Sequence, residues 1–195
     1  MTASFRDIAR LLERAKRRRT QVILAAAAAA GLAAWLGVLL VGALALILGA
    51  RTGLVRWAAA VALAHAAAAA LFWAIRSLRR GAWTPEGVAR IVAAGSPALR
   101  SDLVSAVELS RQREALAASG AVSLALLDAH VARTAEAVQG VDLAVAIPAR
   151  PARQAGLALA GVAAGALLAL LVVGAPLGRA AARVVAGDPT SPAAP

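Results

Sequence analysis

The chain has 195 residues, of which 61 % are apolar and 16 % charged, a balance shifted from that of a soluble domain toward a membrane protein. It contains no Cys and no Tyr, which excludes a disulfide scaffold, a thiolate metal site and a cysteine nucleophile. The formal charge of +11 invites a nucleic-acid reading, but its distribution argues against one. Arg6, Arg10, Arg14, Lys16, Arg17, Arg18 and Arg19 precede the first apolar run, Arg76, Arg79 and Arg80 follow the second, and Arg150 and Arg153 precede the third. The polar insert, residues 81–149, carries seven acids against five arginines, with Trp83 as its only aromatic. Basic residues at the ends of apolar runs set membrane topology. Nucleic acid is therefore not an expected partner.

Residues 1–20 form a basic amphipathic start. Phe5, Ile8, Leu11, Leu12 and Ala15 fall on one helical stripe with the arginines opposite. Such a stripe suits a membrane surface, where anionic lipid attracts the basic face. The first apolar run, 21–50, carries no charge over thirty positions, while about twenty suffice to cross the hydrocarbon. A cleaved signal peptide has an apolar core of only about 7–15 residues, so this run reads as a span. The alanines Ala25–Ala30 belong near the headgroups and Leu32 to Leu48 in the apolar core. No Gly or Pro precedes Gly31, so the basic start and the span can be one helix.

The second run, 57–75, is nineteen residues, mostly alanine, with Trp57 and Trp73 near its ends. The short link RTGLVR (51–56) makes a helical hairpin with the first span. The third run, 154–175, contains Gly161 and Gly165 one turn apart, a spacing that lets another helix approach closely. Packing within the chain and dimerisation explain that pair equally well. By the positive-inside rule, twelve basic residues flank the cytoplasmic ends and four, Arg51, Arg56, Arg179 and Arg183, the opposite ends. Arg17, Arg18, Arg19, Arg76, Arg79 and Arg80 set this topology: N-terminus and insert in the cytoplasm, C-terminus outside.

No Asp or Glu lies between Glu13 and Glu86, or between Asp142 and Asp188, so no carboxylate relay can lie within the spans. His65 is the one ionisable residue at membrane depth. Its expected role is structural, a hydrogen bond to a neighbouring helix or a water, with a functional role as the alternative.

The insert reads as three short helices. Thr84 caps the first, with Pro85 and Glu86 in its opening turn and Gly95 at its end. Ser96 and Pro97 open the second, which carries the stripe Leu99, Leu103 and Val107 and ends before Gly120. The third, 121–138, spaces Leu124, Leu127, Val131, Ala135 and Val138 almost as heptads and closes at Gly140. About sixty residues is near the lower limit for an independent core, so the insert is expected to pack also against the membrane-flanking helices or a partner. Leu99, Leu103 and Val107 are the candidate docking face; the third helix either joins the same bundle or pairs with another helix. His130 reads as a solvated residue. Asp128 and His130 are two apart and point apart on a helix. No phosphate loop, HExxH or GxSxG is present, so no catalytic, cofactor or metal residue is assigned. Arg179 to Ala186 forms a short amphipathic segment, and DPTSPAAP, within the tail 176–195, reads as a Pro-rich linker.

The stretch TPEGVARIVAAGSPALRSDLVSAVELSR, through Thr84, Pro85, Glu86, Pro97, Leu99, Arg100, Asp102, Leu103, Ser105, Ala106, Glu108 and Leu109, resembles a domain of unknown function in large membrane proteins of Gram-negative bacteria. Gly87 stands where an acid is more usual, and Ser96 precedes the proline. The resemblance implies a basic N-terminus, a two-span hairpin, a helical cytoplasmic insert, a third span, and a tail leading to a further extracytoplasmic region. It brings no catalytic residues. The expectation is therefore an all-α integral membrane protein with three transmembrane helices, a hairpin plus one, and a small cytoplasmic helical insert. It would act in the bacterial inner membrane as an anchor or scaffold with a periplasmic C-terminal extension. Its partners would be the bilayer, anionic lipid at the N-terminus, other membrane helices or a cytoplasmic protein. The alternative is a subunit of a transporter, channel or envelope-assembly complex, with a membrane enzyme a distant third.

Overall fold

The computed structural model describes residues 3–79, 84–96, 99, 101–119 and 123–186. Arg80, Trp83, Pro97, Arg100, Gly120 and the tail beyond Ala186 lie outside the described residues. Within them the chain is all helix, with no strand. In order the helices are α1 (Ala3–Ile47), α2 (Thr52–Arg79), α3 (Pro85–Gly95), α4 (Asp102–Arg111), α5 (Arg113–Ser119), α6 (Leu124–Gln139), α7 (Leu143–Ala146), α8 (Arg150–Val173) and α9 (Ala175–Ala186). Three of them, α1, α2 and α8, are long and apolar enough to cross a membrane.

The basic start and the first apolar run are one helix. With no Gly or Pro before Gly31, nothing interrupts the 45 residues of α1, about 68 Å at the rise of an α-helix. It ends where Gly49 takes φ +89. The Ala50 N–H reaches back to the Ala45 carbonyl at 3.0 Å and the Gly49 N–H to Leu46 at 3.1 Å, closing the last turn. Arg76 and Arg79 stand in the last turn of α2, where cations complement the helix dipole. Gly174, at φ +67, separates α8 from α9.

The chain divides into two compact units. Unit 1 comprises residues 1–23 and 76–150. Its core joins Ile8, Leu11, Leu12 and Ala15 of α1 to Val88, Ala89 and Val92 of α3, to Leu99, Leu103, Ala106 and Val107, to Leu127, Val131, Ala135 and Val138 of α6, and to Ala146 and Ile147. Phe5 packs at its edge. The insert therefore completes its core with the first turns of α1, which answers its small size.

Two sequence expectations change here. The α1 stripe, expected on a membrane surface, is core: Ile8 and Ala15 are fully buried. The expected second helix of the insert is broken at Gln112 into α4 and α5, so the insert has five helical segments among the described residues rather than three. Ser101, not Ser96, is the residue before α4, and its side chain makes no capping bond to the helix. By contrast Thr84 caps α3 as expected, its hydroxyl accepting from the Gly87 N–H at 3.1 Å with Pro85 at the first position.

Unit 2 comprises residues 24–75 and 151–195. Its buried cluster is small: Ala43 of α1 with Leu177 and Ala180 of α9, edged by Leu40, Leu46, Ala169 and Val173. A Cβ on Gly42 would lie 3.2 Å from Val184 and 3.3 Å from Val55, so the missing side chain lets α9 and α2 close on α1. No residue of α8 is buried, and Leu157, Leu171 and Val172 are each more than 70 % exposed. Apolar surface on that scale is stable in a lipid-like solvent and not in water.

Candidate functional site

Three ion pairs link the helices of the insert. Glu86, in the first turn of α3, accepts from Arg111 at the end of α4 at 3.1 Å. Arg90 faces Glu108 at 3.7 Å. Arg113, just past the break at Gln112, donates to Asp128 of α6 at 2.8 Å. Two pairs join α3 to α4 and one joins α5 to α6; Glu86, Arg111 and Arg113 lie in terminal turns, while Arg90 lies within α3.

Glu86 has its pKa held below the usual glutamate value. Its own backbone N–H in the first helical turn lowers its pKa; partial burial opposes this, and Arg111 and the Thr84 hydroxyl reinforce the lowering. Its side chain is only 14 % exposed, while that of Arg111 is 77 % exposed. The pair therefore orients the helices and contributes at most about 1 kcal/mol.

Beside these pairs lies a cleft of about 290 Å³ lined by Phe5, Ser110, Arg111, Arg113, Asp128 and Val131, among others. It offers both signs of charge over an apolar floor. The Ser110 hydroxyl donates to the Ala106 carbonyl at 2.6 Å and is engaged in its own helix. His130 is half-buried rather than solvated, and its Nε2 is buried with no hydrogen-bond partner. Among the described residues no group of three His, Asp or Glu stands close enough to hold a metal.

The candidate residues read from sequence separate in the structure. Leu99, Leu103 and Val107 do share one stripe, but at 5 %, 0 % and 2 % exposure they are core, and a docking face made of them is corrected. The chain itself covers that stripe with α1, α3 and α6. His65 is exposed, and its Nδ1–H donates to the Val61 carbonyl one turn back in its own helix at 2.8 Å. A Cβ at Gly161 or Gly165 would meet nothing within 4 Å.

The topology-setting arginines divide by function. Arg18 donates to the Ile147 carbonyl at 3.2 Å and Arg19 to the Ser77 carbonyl at 2.9 Å, so both fasten α1 within unit 1. Arg17, Arg76 and Arg79 are exposed. Sequence reasoning missed the role of Arg18 and Arg19, because the carbonyls they reach are 129 and 58 residues away. Comparison with protein-family models, curated proteins and solved structures finds no match to this chain.

Proposed function

We propose that the chain is an anchor or scaffold of the bacterial inner membrane, crossing it three times, with unit 1 in the cytoplasm and the C-terminus on the periplasmic side. The observation that carries this reading is α1: its first turns supply Ile8, Leu11, Leu12 and Ala15 to the core of unit 1, and the same helix continues as the first apolar run. A helical domain whose core includes the extension of a span is built to be held at a membrane. The excess of basic residues at the flanks assigned to the cytoplasm supports the orientation. The plan agrees with that of the family the motif at 84–109 resembles. Docking of a cytoplasmic protein then falls to the charged cleft beside Arg113 and Asp128, since the Leu99–Leu103–Val107 stripe is covered. Alkaline carbonate washing should leave the chain in the membrane pellet; release into the supernatant sinks the reading.

One observation favours the second reading, a subunit of a transporter, channel or assembly complex. No residue of α8 is buried, and a Cβ at Gly161 or Gly165 would meet nothing within 4 Å. Light scattering on the detergent-solubilised chain separates the two. A monomer supports the anchor; a larger assembly that Gly161→Leu breaks supports the subunit.

A further inference from the structure

We propose that unit 2 holds one anionic phospholipid in the cleft that α1, α2 and α9 form around Arg56; this rests on the membrane reading above. The cleft measures about 520 Å³, and Trp35, Leu39, Trp57, Leu63 and Val185 line it together with Arg56. Arg56 is exposed and, among the described residues, makes no hydrogen bond or ion pair. Residues 24–75 and 151–187 contain no Asp or Glu, so no acid among the described residues of its unit can pair with it; Asp188 lies outside them. Arg51, Arg179 and Arg183 are exposed in the same way. They stand at the same end of the unit: Arg56 and Arg183 each neighbour the residue, Val55 or Val184, that closes on Gly42.

A guanidinium facing an apolar cleft calls for an oxyanion, and two oxygens of a tetrahedral phosphate can accept its two parallel hydrogen bonds. The rest of the cleft selects what carries that phosphate. A free inorganic ion would pair with Arg56 and leave Leu39, Leu63 and Val185 unfilled, whereas an acyl chain covers them. Trp57 beside Arg56 has the amphipathic ring that sits at headgroup depth. A zwitterionic lipid would bring its own cation to an end already holding four arginines that, among the described residues, make no ion pair. An anionic headgroup brings none, so the site prefers it.

The test uses the full chain in nanodiscs of phosphatidylcholine with a minor fraction of phosphatidylglycerol, followed by native mass spectrometry of the lipid it retains. We expect one retained lipid, with phosphatidylglycerol enriched on the order of tenfold over the bulk, the worth of a charge-assisted hydrogen bond. Arg56→Gln should abolish the enrichment. Ala60→Trp, which fills the cleft and keeps the charge, should do the same, while Arg179→Gln, outside the cleft, should not. Retained lipid of bulk composition overturns the site, as does equal loss in Arg56→Gln and Arg179→Gln, which would mean diffuse attraction. Undiminished enrichment in Ala60→Trp also overturns it. A chain that does not enter nanodiscs at all overturns the membrane reading instead.

Discussion

Gly95 closes α3, and from sequence it reads as a glycine chosen for a left-handed helix end. The positive φ values among the described residues belong instead to Gly49 and Gly174. What Gly95 provides is space: a Cβ there would lie 2.5 Å from both the Cα and the carbonyl oxygen of Ala146, so backbone would have to move. Gly95→Ala should therefore destabilise unit 1 by about 1–3 kcal/mol, the cost of overpacking. Gly140, also at a helix end, has φ −86 and only Ala137 O at 3.9 Å near its Cβ position. Gly140→Ala should be neutral or stabilise by up to about 1 kcal/mol, through the unfolded chain. Thermal melts of the two variants should move in opposite directions or differ by several degrees; equal shifts would refute the spatial account. Glu86 gives a prediction in pH. Its folded pKa is lowered, so its contribution is complete above the ordinary glutamate value, about 4.3, and is lost as pH falls through the lower folded value. Wild type should lose stability over that acid range, and Glu86→Gln should flatten the loss.

At the scale of elements, the sequence shows periods plainly and partners poorly. The 3.6-residue spacing of Phe5, Ile8, Leu11, Leu12 and Ala15 is legible, and so is the stripe Leu99, Leu103 and Val107. What each stripe faces is not, because lipid, a partner protein and the chain's own insert all ask for the same aliphatics. The structure turns both stripes toward each other through one core. The Thr84–Pro85–Glu86 start of α3 was legible for a local reason, since its capping bond spans three residues. The break at Gln112 was not, as the sequence there carries no Gly or Pro. Arg113 and Asp128 pair only once that break lets α5 diverge from α4. The shared core yields a test. Ile8→Asp and Leu103→Asp each bury a charge with no partner and should unfold unit 1 alike, although the two residues lie on different helices. Limited trypsin digestion of membranes should then cleave the arginines of the insert rapidly in both variants. If Ile8→Asp leaves the insert as resistant as wild type, α1 is not part of its core.

For the whole molecule, the absence of cysteine makes topology open to direct measurement. A single cysteine at an exposed position reports its side of the membrane through a maleimide that does not cross lipid. Ala118 in α5 and Ala182 in α9 are exposed and lie in different units. With twelve basic residues on one set of flanks and four on the other, Ala118→Cys should be protected in intact spheroplasts and label only after lysis. Ala182→Cys should label before lysis. The number of crossings decides whether the two answers differ. Of the three candidate spans, only α8 lies between α5 and α9. Opposite labelling therefore establishes that α8 crosses. Labelling of both before lysis, or of neither, would mean that it does not, and the uncovered apolar surface of α8 would then have to be met by protein rather than lipid. Reversed labelling would keep the α8 crossing and invert the orientation. It would place unit 1 outside and leave the fold of both units, and the cleft around Arg56, unchanged.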